Sequence, residues 1–77
     1  MEIQDFISNF ADQFEETDKN VFTPETKFHE LEEYSSLIAL SIIAMVDEEY
    51  DITLKGDDIR YANTIQDLFN TIKTKTE

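Results

Sequence analysis

There is no cysteine in this 77-residue chain, which removes disulfides and thiolate–metal sites and leaves the redox compartment open. A single histidine, His29, cannot build an imidazole cluster. Basic residues are scarce, 6 against 18 acidic ones, and the net charge is −12. Such a surface repels phosphate backbones and anionic lipid heads, so neither nucleic acid nor membrane is expected as a partner. It favours instead basic patches on other proteins, most strongly at low salt. Glycine and proline occur once each, Gly56 and Pro24, so few positions force the chain to turn. The start, Met1-Glu2-Ile3-Gln4-Asp5, lacks a basic region and an apolar stretch of the secretory kind, and a cytoplasmic location is the expectation.

What is present is enough apolar material for a core, 40% of residues with six Phe and three Tyr. The length permits one small domain over 1–77. From about Glu2 to Glu16, Ile3, Phe6, Ile7, Phe10, Ala11 and Phe14 recur in steps of three and four, the pattern of an amphipathic helix. Between Thr17 and Ser35 the period is lost. Thr17-Asp18-Lys19-Asn20 is turn chemistry, and Pro24 keeps Thr23 out of helical geometry. Pro24-Glu25-Thr26 is read as the start of a short helical turn, with Val21, Phe22, Phe28 and Leu31 pinning the segment to the core. His29 reads as an exposed or hydrogen-bonded loop histidine.

Two serines, Ser35 and Ser36, then open a nearly unbroken apolar run to Val46, closed by Asp47-Glu48-Glu49-Tyr50-Asp51. A hydroxyl before an apolar run is a helix start signal, and acids on both sides make the run a soluble central helix from Ser36 to about Tyr50. Leu37, Leu40, Ile43 or Ala44, and Val46 can face a core, which leaves some of Ile38, Ile42 and Met45 either near the surface as a small docking patch or buried in a helix packed on two sides. Ile52 and Leu54 tuck inward from the next loop, and Gly56 marks a turn. Asp57 or Asp58 caps a short helix through Ala62, and Asn63-Thr64 caps a last helix carrying Ile65, Leu68, Phe69 and Ile72. Thr74 to Glu77 is expected to fray. With no strand signal, the fold class is all-α: a four-helix bundle of three longer helices and a short third.

Two chemical readings fail on spacing. Counted as a calcium loop from Asp47, the sixth and twelfth positions are Ile52 and Asp58, and from Asp51 the twelfth is Ala62, so the required glycine and glutamate are missing and no metal site is expected. A nucleophilic serine lacks the G-x-S-x-G setting, His29 is the sole imidazole, and no catalytic residue is assigned. A serine in the first turn of a helix suits a different use. A phosphate ester on its oxygen would lie near free N–H donors and the positive helix end.

The order of these features resembles the acyl carrier protein family. Ser36-Leu37 opens the second helix and Glu48-Glu49-Tyr50-Asp51 closes it at that family's spacing. Phe28 falls where the family has a loop phenylalanine. Ile52-Thr53-Leu54 and Asp57-Asp58-Ile59 are similar to its following loop and short third helix, and Asn63 to Leu68 to the start of its last helix. The resemblance implies an acyl-carrier-like bundle, monomeric and non-catalytic. It implies a covalent 4′-phosphopantetheine on Ser36, with Ser35 as second choice, installed by a phosphopantetheinyl transferase that uses magnesium. The arm would hold an acyl or related intermediate as a thioester, within a pathway of the fatty acid, lipid or polyketide kind. Partners would be acyl-activating or acyl-transferring enzymes with basic docking patches, met through Leu37, Ile38, Ser41, Met45, Asp47 and Glu48. The chain departs from the family where Ser35 replaces the aspartate before the serine, and where Ile38 and Ser41 stand in place of acids. The lost aspartate and the apolar face of Ile38, Ile42 and Met45 support an alternative, an unmodified acidic helical interaction module.

Overall fold

A computed structural model describes residues 2–76. The order is α1 (Ile3–Ala11), two short 3₁₀ turns (Lys19–Val21 and Phe28–Glu30), α2 (Ser36–Tyr50), α3 (Gly56–Tyr61) and α4 (Ile65–Thr76), with no strand among the described residues. Three longer helices and a short third one are thus observed as expected. The packing of α1 on α4 and α2, and of α3 on α4, closes the helices around one cluster of buried side chains.

The stripe of α1 is the centre of that cluster. Phe6 and Phe10 are fully buried, and Ile7, Ala11 and Phe14 are nearly so. Phe10 meets Phe14, Phe22 and Phe28 at ring-centroid distances of 5.6, 6.1 and 5.3 Å, two of these pairs edge-on, an arrangement aromatic quadrupoles favour. The helix is shorter than its apolar period suggests, ending at Ala11 rather than Glu16. Gln13 and Phe14 already bond back three residues, to the carbonyls of Phe10 and Ala11. The next amides, of Glu15 and Glu16, donate to the carboxylate of Glu33 at 2.8 and 3.0 Å, and the Thr17 hydroxyl does so at 2.7 Å. A carboxylate from another segment thus takes the donors that a longer helix would have used.

Between α1 and α2 the chain is ordered by Phe22 and Phe28, both buried, and by a half-buried Leu31. Val21, expected to help, is 43% exposed. Pro24 and Glu25 form a turn, not a helix. Its carbonyls have a use: Gln66 N–H donates to Pro24 O at 2.9 Å and Ile65 N–H to Thr26 O at 3.2 Å, so the loop satisfies donors at the start of α4. The same start is capped reciprocally. The Asp67 amide donates to Thr64 Oγ1, and the Asp67 carboxylate accepts from the amides of Asn63 and Thr64, all at 3.1 Å.

The orientation of α2 bears out the expectation at Val46 and departs from it at Leu37, Leu40, Ile42, Ala44 and Met45. Ile42 and Val46 are fully buried and Met45 is 5% exposed, whereas Leu37 and Leu40 are 76% and 62% exposed and Ala44 is exposed too. The helix is apolar around most of its circumference, so its own sequence does not select a face; α1 and the Phe cluster do. Ile38, Ala39 and Ile43 are half-buried at the edges. After Tyr50 the chain reverses at Asp51, the one described non-glycine residue in the left-handed region (φ 56°), whose N–H donates to Asp47 O at 3.0 Å. Ile52 and Leu54 are buried as expected. Gly56 is not the turn residue: it has no positive φ and opens α3. Lys55, not Asp57 or Asp58, holds the cap position, and Asp58 reaches back from the third helical position to accept Lys55 N–H at 2.9 Å. Helix α4 continues to Thr76, where fraying from Thr74 was expected; Glu77, like Met1, lies outside the described residues.

Candidate functional site

The two serines at the start of α2 have different tasks. Ser35 has extended backbone (φ −155°, ψ 175°), and its Oγ accepts the Ile38 amide at 3.3 Å, an N-cap. Ser36 is the first helical residue and is exposed, and among the described residues its hydroxyl enters no hydrogen bond. The amides of the first turn have no acceptor within the helix. With Ile38 N–H taken by Ser35, those of Ser36 and Leu37 are left at the positive end of a helix of 15 residues. The residues present therefore fit a phosphodiester on Ser36 Oγ.

Beside Ser36 a cleft of about 190 Å³ runs between the start of α2 and α3. Tyr34, Ser36, Ala39 and Ile43 form one side and Gly56, Ile59 and Arg60 the other, with His29 at one end. Its lining is mainly apolar. Burial pushes the Tyr34 hydroxyl above the usual phenol range, and Arg60 brings a cation to the opposite wall. Two larger grooves are shallower in chemistry. One, of about 280 Å³, lies between α1 and α2 and is lined chiefly by polar side chains, Asn9, Gln13 and Glu48 among them. The other, of about 310 Å³, is bordered by Lys27, His29, Glu30 and Asn63. The described residues do not bring together three metal-ligating side chains.

Of the side chains expected to meet a partner, Leu37, Asp47 and Glu48 are exposed, and Ile38 and Ser41 are half-buried. Met45 is the exception: it points into the core, which leaves little of it for a partner. The exposed apolar face is Leu37, Leu40 and Ala44, at steps of three and four, leading to Asp47 and Glu48. Sequence reasoning placed these apolar residues in the core, and their helical spacing was the available signal once the helix was turned. It also missed the cleft, whose walls come from segments up to 31 residues apart (His29 to Arg60).

No helix among the described residues is long and apolar enough to cross a membrane. No protein-family model matches the chain, and comparison with curated proteins and with solved structures found no match.

Proposed function

We propose that this chain is a carrier domain of the acyl carrier type, modified on Ser36. The observation that carries the reading is the combination at one place of an exposed, uncommitted serine hydroxyl at a helix start and a mainly apolar cleft beside it. The resemblance in sequence order, from Phe28 through Ser36-Leu37 to Tyr50-Asp51, supports it independently. The group expected on Ser36 is 4′-phosphopantetheine, whose thiol holds an acyl cargo as a thioester. Within the chain, Ser36 Oγ would be the attachment atom, the free amides of Ser36 and Leu37 would be available to its phosphate, and Ser35 fixes the helix start by capping Ile38. The chain performs no chemistry of its own; separate enzymes attach, load and unload the arm.

Those enzymes would meet the exposed face of α2. Leu37, Leu40 and Ala44 offer apolar contact, and Asp47 and Glu48 attract basic side chains. Ile38 and Ser41, in place of acids, leave the upper part of that face without charge, which points to partners other than those that read a fully acidic helix. The same face is the observation that favours a second reading, an unmodified interaction module.

Intact mass separates the two. Incubation with coenzyme A, magnesium and a transferase of broad specificity is expected to add one phosphopantetheine to wild type and to Ser35→Ala, and none to Ser36→Ala. A gain lost in Ser35→Ala alone would move the attachment by one residue. No gain in any sample, with the transferase active on a control carrier, would favour the interaction module.

A further inference from the structure

We propose that His29 is the clasp that holds α3 against the start of α2 and thereby sets the opening of the cleft beside Ser36. The inference concerns the geometry of the cleft and holds whether or not Ser36 is modified. Helix α3 has six residues, too few to stand on its own hydrogen bonds. Apart from the burial of Ile59 and, just beyond the helix, Ala62, it is tethered at each end. At the start, the Asp58 carboxylate accepts Lys55 N–H and pairs with Lys75 Nζ at 3.3 Å. At the end, His29 Nε2 lies 2.9 Å from Ile59 O and 3.0 Å from Ala62 O. Carbonyl oxygens only accept, so Nε2 carries the proton and donates to both, a bifurcated bond to carbonyls that a helix end leaves free.

The ring itself is fixed from the other side. It stacks on Phe28 at 4.4 Å and meets Tyr34 edge-on at 4.9 Å, and Phe28 is fully buried in the core. His29 thus links the Phe cluster of the core to the short helix that forms one wall of the cleft. Gly56, Ile59 and Arg60 line the cleft from α3 and Ala39 and Ile43 from α2, so release of α3 at its His29 end would widen it while its start stays tied to α4 through Asp58 and Lys75.

Three measurements on the full chain test this. Imidazole ¹H–¹⁵N spectra of the wild type are expected to show the Nε2–H tautomer, with that proton slow to exchange. In His29→Ala, amide exchange in α3 is expected to rise about fivefold or more, with the amides of α1 and the middle of α4 unchanged. The neutral probe N-phenyl-1-naphthylamine should bind the variant more strongly than wild type. His29→Gln, whose carboxamide N–H can donate to the same carbonyls, should recover part of the protection. An Nδ1–H tautomer in the wild type would overturn the proposal. So would unchanged α3 exchange in His29→Ala, or an equal rise in every helix, which is general destabilisation. Should His29→Ala fail to fold, the wild-type tautomer and the α3 exchange of His29→Gln decide in the same way.

Discussion

At the scale of single residues, adjacent side chains of one type do unlike work. Ser35 is spent on the helix it precedes, while Ser36 is free for something else. Ser35→Ala should therefore lower stability by about 1 kcal/mol, the usual worth of an N-cap, and the melting temperature by about 4–8 °C. The proposed loading at Ser36 should persist. A helix start was legible here because a hydroxyl before an apolar run has a local cause. The role of Glu33 was not, since the three donors it serves lie 16 to 18 residues away. Its carboxyl is held below the usual carboxylate range, first by the Thr17 hydroxyl, which outweighs an opposing effect of desolvation, and further by the amides of Glu15 and Glu16. A folded-state value below the unfolded one means stability that is present above the unfolded value and lost as pH falls through the folded one. Chemical denaturation of Glu33→Gln should thus show a deficit against wild type at pH 7 that shrinks as the pH falls below about 4. A deficit constant with pH would show that the charge on Glu33 is immaterial.

At the scale of elements, α1 and α4 could be read from spacing because each has a single apolar stripe: Phe6, Ile7 and Phe10 in one, Ile65, Leu68, Phe69 and Ile72 in the other, all buried. Helix α2 has no such contrast, so its rotation is decided by what packs on it, including Asn9 Nδ2, which donates to Tyr50 Oη at 3.0 Å across 41 residues. This yields a sharp comparison. Ile42→Ala should cost about 2–5 kcal/mol, as a buried truncation does, whereas Leu40→Ala should stay within about 0.5 kcal/mol. In urea titration a larger cost for Leu40→Ala would mean the helix is turned the other way, and equal costs that it is packed on both faces. The end of α2 is open to the same test. Asp51 has left-handed backbone, and Asp51→Gly should stabilise or leave stability unchanged, while Asp51→Val should destabilise by about 1–2 kcal/mol.

For the whole molecule, the governing quantity is charge. A net −12 is spread over a body of 32 × 23 × 21 Å. The ion pairs among the described residues, Lys19–Asp12, Arg60–Asp57 and Lys75–Asp58, engage only three of the acids, and the first two are well exposed and contribute little. At an ionic strength of about 0.01 M the screening length is about 30 Å, so each carboxylate feels nearly all the others; at about 1 M it is about 3 Å and the repulsion is gone. Self-repulsion opposes the compact state, so the melting temperature should rise with added sodium chloride. The described residues hold no group of three that could share a cation. Magnesium chloride should therefore act by screening alone and match sodium chloride at equal ionic strength. A larger rise with magnesium would mean that the ion gathers carboxylates which the free protein keeps apart; no rise with either salt would mean that the chain tolerates its charge without cost.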